Sequence, residues 1–214
     1  QETYRTSSKS FSRKLNQDFF VKEGLGAPNQ DIKDALLTID GLSINEGPQL
    51  ETFVRLAGAE EAIYLDLANE GRDVVEITPT GWSVEPSGEV RFLRPPGMSA
   101  LLIPVSGGSV EDLRRFINLE DPADWPLVVA FILACFSPSG PYPGLEVIGE
   151  QGSAKSTAMK VIKRLTDPNT VEVRSLPRNL QDLAILSINS WVPSFDNVSA
   201  ISDHMSDALC GLST

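Results

Sequence analysis

The sequence predicts an α/β carboxy-terminal part with a parallel sheet, preceded by a small β-rich meander and by helices. Three observations predict it. Between about 50 and 103, apolar residues recur at every second position in short runs separated by turn residues. From 145 onward, strand-like runs alternate with helical runs, the pattern of parallel strands joined by crossover helices. At the first strand-to-helix junction stands "GEQGSAKS", Gly149 to Ser156, rich in glycine and ending in Lys-Ser.

Composition sets the bounds. The chain has 214 residues, 41% of them hydrophobic and 22% charged, which fits a folded chain with one sizeable core and a smaller module. The net charge of -11 excludes a global basic field for nucleic acid. Residues 41–150 carry the whole acidic excess, six basic groups against seventeen acidic, whereas 1–40 and 151–214 are balanced at six of each. Cys135 and Cys210 fall in apolar periodic runs and read as buried, reduced thiols, and a single histidine, His204, argues against a zinc site. The longest apolar run, Pro126 to Phe136, is too short to span a bilayer. These features point to a soluble, cytoplasmic protein with no membrane partner. A first residue of Gln1 rather than Met points to an excised piece of a longer parent.

Residues 1–20, rich in Ser and basic groups, read as a frayed terminus, or as a basic arm for nucleic acid. "PNQDIKDALLTIDG" reads as a helix with Ile32, Ala35, Leu36 and Ile39 on one face and Gly41 as its C-terminal cap. Segment 1–44 is thus helical or flexible. Segment 45–104 is a small antiparallel β module with strand candidates "TFVRLAG", "AIYLDLA", "DVVEIT", "GWSVEP" and "EVRFLRP", divided by "NEGRD", "TPTG", "PSGE" and "RPPG". Ile63, Leu65 and Leu67 face its core, with Tyr64 and Asp66 on the other side, and Trp82 reads as core rather than as a base-stacking platform.

Segment 105–143 is a helical lead-in. "SVEDLRRFIN" is a helix capped by Ser109, and 123–136 is a second helix, apolar nearly all round and expected to be buried. Segment 144–214 is the α/β core. Leu145–Ile148 is a short buried strand, and Ser156–Leu165 a helix with Met159, Ile162 and Leu165 inward. "TVEVRSL" is a strand, "PRNLQDLAILSIN" a helix, "SWVPSFDN" a strand ending in Asp196, and "AISDHMSDALCGL" a helix.

The loop nearly matches the phosphate-binding pattern G-x-x-x-x-G-K-[ST], with Ala154 in place of the last glycine. Gly149, Glu150, Gln151, Gly152, Ser153 and Ala154 would wrap phosphate oxygens with backbone N–H groups, and the following helix N-terminus favours negative charge. Lys155 would bridge the β- and γ-phosphates of ATP. Ser156, with Thr157 beside it, would hold Mg²⁺. Ala154 is acceptable where its φ is negative, because only a positive φ penalises its Cβ. Asp196, closing an apolar run 41 positions after Lys155, is the candidate metal acid, although Pro193 sits awkwardly in a central strand. Asn197 stands where many ATPases carry a water-polarising glutamate, and it can orient water but not accept its proton. Glu150 is a conceivable substitute acid. In the other reading, Asp196 and Asn197 merely open a turn.

"GPYPGLEVIGEQGSAKST", "DPNTVEVRSLPRN" and "FDNVSAISDHMSDALCGLST", with "AIYLDLA", "GWSVEPSGEVRFLRPPGM" and "SGGSVEDLRRFIN", resemble bacterial and phage ATP-binding proteins similar to the helicase half of phage and plasmid primase-helicases, within the superfamily 3 type of AAA+ ATPases. The "AKS" ending is similar to phosphate loops of minichromosome-maintenance helicases. The resemblance covers roughly 45–214. It implies an α/β P-loop NTPase core of AAA+ type, ATP and Mg²⁺ as cofactors, DNA as a partner and a homo-oligomeric ring in the full-length parent. In that family a glycine-rich segment, a sensor strand and an inter-subunit arginine follow. The sequence reaches Thr214 before them, so the core is expected to be incomplete here and the isolated piece a weak ATPase. The alternatives are a non-catalytic ATP-binding regulatory or scaffold module and a P-loop phosphotransferase. Lys160, Lys163, Arg164, Arg174 and Arg178 would offer DNA backbone contacts, or else form a solvated helix face and loops.

Overall fold

A computed structural model describes residues 3–59, 61–86, 88 and 90–213. The chain forms two compact units, 1–52 and 53–214. The first is a pair of helices, α1 (Lys9–Glu23) and α2 (Asn29–Asn45). The terminus read as frayed is therefore helical from Lys9. Ser8 caps α1 by accepting from the Phe11 N–H at 3.2 Å, and Gly24 closes it in the left-handed conformation at φ 75°. Gly41 does not end α2, which runs four residues further to Asn45. Leu42 and Ile44 continue the helix, but neither helix buries a residue.

The second unit opens with a four-stranded antiparallel meander: β1 (Leu56–Ala59), β2 (Ala62–Asp66), β3 (Asp73–Thr78) and β4 (Gly81–Pro86), in that spatial order. Leu56 opposes Leu65, which opposes Val75, so Ile63, Leu65 and Leu67 share a face with Leu56 and Val75. The other face is packed as well. Ala57, Val74 and Phe92 form a cluster there with Tyr64, and Asp66 is buried. Trp82, read as core, lies on the outermost strand and is 47% exposed. "EVRFLRP" forms no named strand among the described residues, and its Phe92 bridges to Phe53. The "PSGE" turn includes Ser87 and Glu89, which lie outside the described residues.

The lead-in starts with a 3₁₀ helix, Val110–Phe116, instead of an α-helix, capped by Ser109 through the Glu111 N–H. A short 3₁₀ turn, Pro122–Asp124, runs into α3 (Trp125–Ala134). α3 is buried on one face only. Trp125, Val128 and Ile132 are buried while Leu127 and Leu133 are exposed. They pack with Ile117 against Ala158 and Ile162 of α4 (Lys155–Thr166), and Leu145 lies against the same core. Leu145 and Val147 are half-buried and Glu146 and Ile148 exposed, the alternation of a strand, but among the described residues no backbone pairs with them and no strand forms.

Beyond α4 come β5 (Arg174–Ser175), α5 (Leu180–Asn189), β6 (Phe195–Asp196) and α6 (Asp203–Ser213). β5 and β6 are parallel, with Arg174 opposite Phe195 and Ser175 opposite Asp196. Asn179 caps α5 by accepting from the Asp182 N–H at 2.8 Å. Pro193 precedes β6 and costs it no ladder bond. Among the described residues no helix is long and apolar enough to cross a membrane. Cys135 is buried, which pushes its thiol up to about 11, whereas Cys210 is exposed, contrary to the expectation of two buried thiols.

A buried ionic network ties the meander to α4. Arg55, at φ 66°, donates to Asp167 Oδ1 (3.2 Å) and to the carbonyls of Asp66 (2.9 Å), Ser99 (2.8 Å) and Pro168 (3.2 Å). Asp66 accepts a two-pronged contact from Arg94 at 2.9 and 2.6 Å. Lys163, one turn before Asp167 on α4, donates to Asp167 Oδ2 at 2.6 Å.

Candidate functional site

The loop between Ile148 and α4 is shaped by two glycines. Gly152 has φ 87°, and a Cβ on Gly149 would stand 2.8 Å from Ser153 Oγ. Ser153 closes the turn by donating its hydroxyl to the Glu150 carbonyl at 2.8 Å. The Lys155 side chain folds over the loop, its Nζ donating to the carbonyls of Gly149 (2.6 Å) and Glu150 (2.5 Å) and to Ser153 Oγ (3.3 Å). Ala154 stands at the N-cap of α4 with φ 64° and ψ 21°, and no side chain caps the helix. The condition for a harmless alanine, a negative φ, is not met. With no side-chain cap, the first turn of α4 keeps backbone N–H donors for an anion.

The distant acid reaches this helix. Ser156 Oγ donates to Asp196 Oδ2 at 2.8 Å, across 40 positions of sequence. The second carboxylate oxygen, Oδ1, accepts from the Asn197 N–H at 2.8 Å, and Asn197 adopts φ 56°, a conformation asparagine tolerates. A hydroxyl and a carboxylate side by side at a helix N-terminus form a hard-oxygen pair suited to Mg²⁺. Hydrogen bonds thus join Gly149, Glu150, Ser153 and Lys155 in one group, and Ser156, Asp196 and Asn197 in another. Gln151 and Thr157 are exposed and take no part in these bonds. Glu150, read as a substitute acid, joins the first group through its backbone carbonyl and not through its carboxylate.

Of the basic residues read as DNA contacts, Lys163 is only 2% exposed and engaged by Asp167, so it is inaccessible to a ligand. Arg164 pairs with Glu172, while Lys160, Arg174 and Arg178 are exposed. Sequence reasoning missed Asp167. It accepts from Lys163 Nζ, from the Ser190 hydroxyl at 3.0 Å, and from the N–H groups of Trp191 (2.9 Å) and Val192 (3.1 Å). Burial works to raise its pKa, but Lys163, the Val192 N–H and Arg55 outweigh it and hold the carboxyl below the ordinary carboxylate range. A Lys-to-Asp spacing of four at the end of a helix is the signal that could have found it.

These elements lie in the stretch that bears a likeness to known proteins. Residues 110–214 match the family of the actinomycete integrative conjugative element replication protein. The match links this part of the chain to replication and to mobile elements. No curated protein and no solved structure matches the chain.

Proposed function

We propose that the chain is the ATP-binding portion of a nucleic-acid-dependent ATPase of AAA+ type that serves the replication of a mobile element. The observation that carries this reading is the Ser156–Asp196 hydrogen bond of 2.8 Å, which joins a lysine-bearing glycine loop to an acid at the end of a parallel strand. Chance similarity of the loop alone does not account for an acid at that point. Gly149, Gly152 and the uncapped N-terminus of α4 fit a phosphate chain, and the oxygens of Ser156 and Asp196 fit Mg²⁺. Bound there, the ion would neutralise phosphate charge. Lys155 would exchange its loop carbonyls for phosphate oxygens. Assembly into a ring and contact with DNA, through exposed Lys160 and Arg178, belong to the same proposal.

The test is titration of the full chain with a fluorescent ATP analogue and Mg²⁺. Lys155→Ala should weaken binding at least about tenfold, the size expected for a lost hydrogen bond to a charged group. Equal affinity in wild type and variant would remove the assignment. A second reading, binding without rapid turnover, is favoured by Asn197, whose backbone N–H faces the acid and whose side chain cannot take a proton from water. Asn197→Glu should raise turnover if that position limits it. An unchanged rate would place the limit elsewhere.

A further inference from the structure

The site depends on two separate elements. α4 brings Lys155 and Ser156, and the segment from Ser190 to Asp196 brings the acid. Their far ends are joined by one buried cluster. Asp167 Oδ2 accepts from Lys163 Nζ, Ser190 Oγ and the N–H groups of Trp191 and Val192. Lys163 Nζ also donates to Ser190 Oγ and to the Val192 carbonyl, both at 2.7 Å. Arg55 holds the other carboxylate oxygen. Arg55, Lys163 and Asp167 are 0, 2 and 1% exposed.

Burying such charges is costly, and well-packed apolar residues would stabilise a fold at least as well. What the ionic cluster adds is directed geometry. From Lys163 back to Ser156 the helix rises about 10 Å. From Val192 to Asp196 an extended chain covers at most about 13 Å. The cluster and the Ser156–Asp196 bond therefore close a small ring, with the cluster at one end and the oxygen pair at the other.

We propose that Asp167, together with Lys163 and Ser190, is a positioning residue for the metal-binding pair: it fixes α4 against the 190–196 segment so that Ser156 and Asp196 meet at one ion. The role assigned to that pair rests on the nucleotide-site reading above.

The full chain carrying Asp167→Asn or the milder Ser190→Ala is titrated with a fluorescent ATP analogue, with and without Mg²⁺, at a temperature where each variant is folded by circular dichroism. The gain in affinity on adding Mg²⁺ should shrink about tenfold in Asp167→Asn and less in Ser190→Ala, the scale of losing a group that orients metal ligands. Metal-free affinity should stay close to wild type. A merely structural role lowers both affinities together through the folded fraction, and that result, or an undiminished Mg²⁺ gain in both variants, overturns the proposal. Hydrogen exchange provides a second readout that needs no nucleotide. Peptides covering 149–158 and 193–198 should exchange faster in both variants, and by a larger factor than β3 and β4. Unchanged protection of those two peptides overturns the clamp, whereas absence of nucleotide binding by wild type would count against the site reading instead.

Discussion

Ala154 holds a left-handed backbone, φ 64° and ψ 21°, immediately before the helix that carries Lys155. For a residue with a Cβ that conformation costs about 1–2 kcal/mol. Glycine would remove the clash at a cost of about 0.4–1 kcal/mol in unfolded-state entropy. Ala154→Gly should therefore stabilise the chain by up to about 1 kcal/mol, seen in thermal unfolding as a shift of about 2–4 °C for a chain of this size. A lower melting temperature would show that the strain is absent or relieved elsewhere. The departure from the loop pattern is visible in the sequence, but its consequence is not, because an angle decides it. Arg55 shows the same limit. Nothing in "FVRLA" marks an arginine with φ 66° whose guanidinium is fully buried, since the acceptors around it come from segments distant in sequence or from backbone carbonyls. Asp196 was legible because an acid closing an apolar run needs only local sequence to be noticed, and the structure brings it to Ser156.

At the scale of elements, α4 shows how much periodicity reveals. Ile162 is buried as the apolar spacing requires, together with Ala158. Leu165, expected inward, is 43% exposed, and the inner face continues instead through Thr166 and Lys163. Thr166 turns its hydroxyl back to the Ile162 carbonyl at 2.9 Å, and Lys163 reaches Asp167 one turn on. Polar side chains that satisfy each other can occupy an inner face that a hydrophobicity pattern assigns to leucine. The run at Leu145–Ile148 fails differently: its alternation is present, but a strand needs a neighbour, and neighbours are not local information. Two predictions concern α4. Ile162→Ala should open a cavity against α3 and cost about 2–5 kcal/mol, measured by denaturant unfolding. A loss below about 1 kcal/mol would mean that the α3–α4 contact is not tightly packed. Asp167→Asn should change the acid limb of stability. Because the folded-state pKa of Asp167 is depressed, its contribution is fully present above the unfolded value of about 3.9 and is lost as pH falls through the lower folded value. Wild type should thus exceed the variant by about 3–5 kcal/mol near neutrality, the cost of leaving Arg55 and Lys163 facing an uncharged partner, and the two should converge below about pH 4. A constant difference from about pH 3 to pH 7 would show that Asp167 does not carry its charge into the fold.

At the scale of the whole molecule, the two units differ in what holds them. The second has an apolar cluster on one face of its meander, buried Leu56, Leu67 and Val75 on the other, and a cluster between α3 and α4, with the Arg55–Asp167–Lys163 network between them. In the first, α1 and α2 bury no residue, and Phe20, Val21, Leu37 and Ile44 are exposed. Helices of 15 and 17 residues have marginal stability in water unless packing of an apolar face supports them. Local opening should therefore be frequent in 3–52 and rare in the packed parts of 53–213. Trypsin reads this difference directly, because its basic target residues are spread through both units. Lys9, Arg13, Lys22 and Lys33 lie in exposed helical positions of the first unit, whereas Arg55 and Lys163 are buried in the second. Under limiting digestion of the full chain, the first cuts should fall among the former group, and cleavage after Arg55 or Lys163 should come last. Because such cleavage follows the population of the open form, the ratio of early to late rates measures the gap in local stability. Cuts at Lys163 as early as those in α1 would show that the ionic network opens as readily as the helix pair, and the rigid support assigned to the Ser156–Asp196 pair would then be missing.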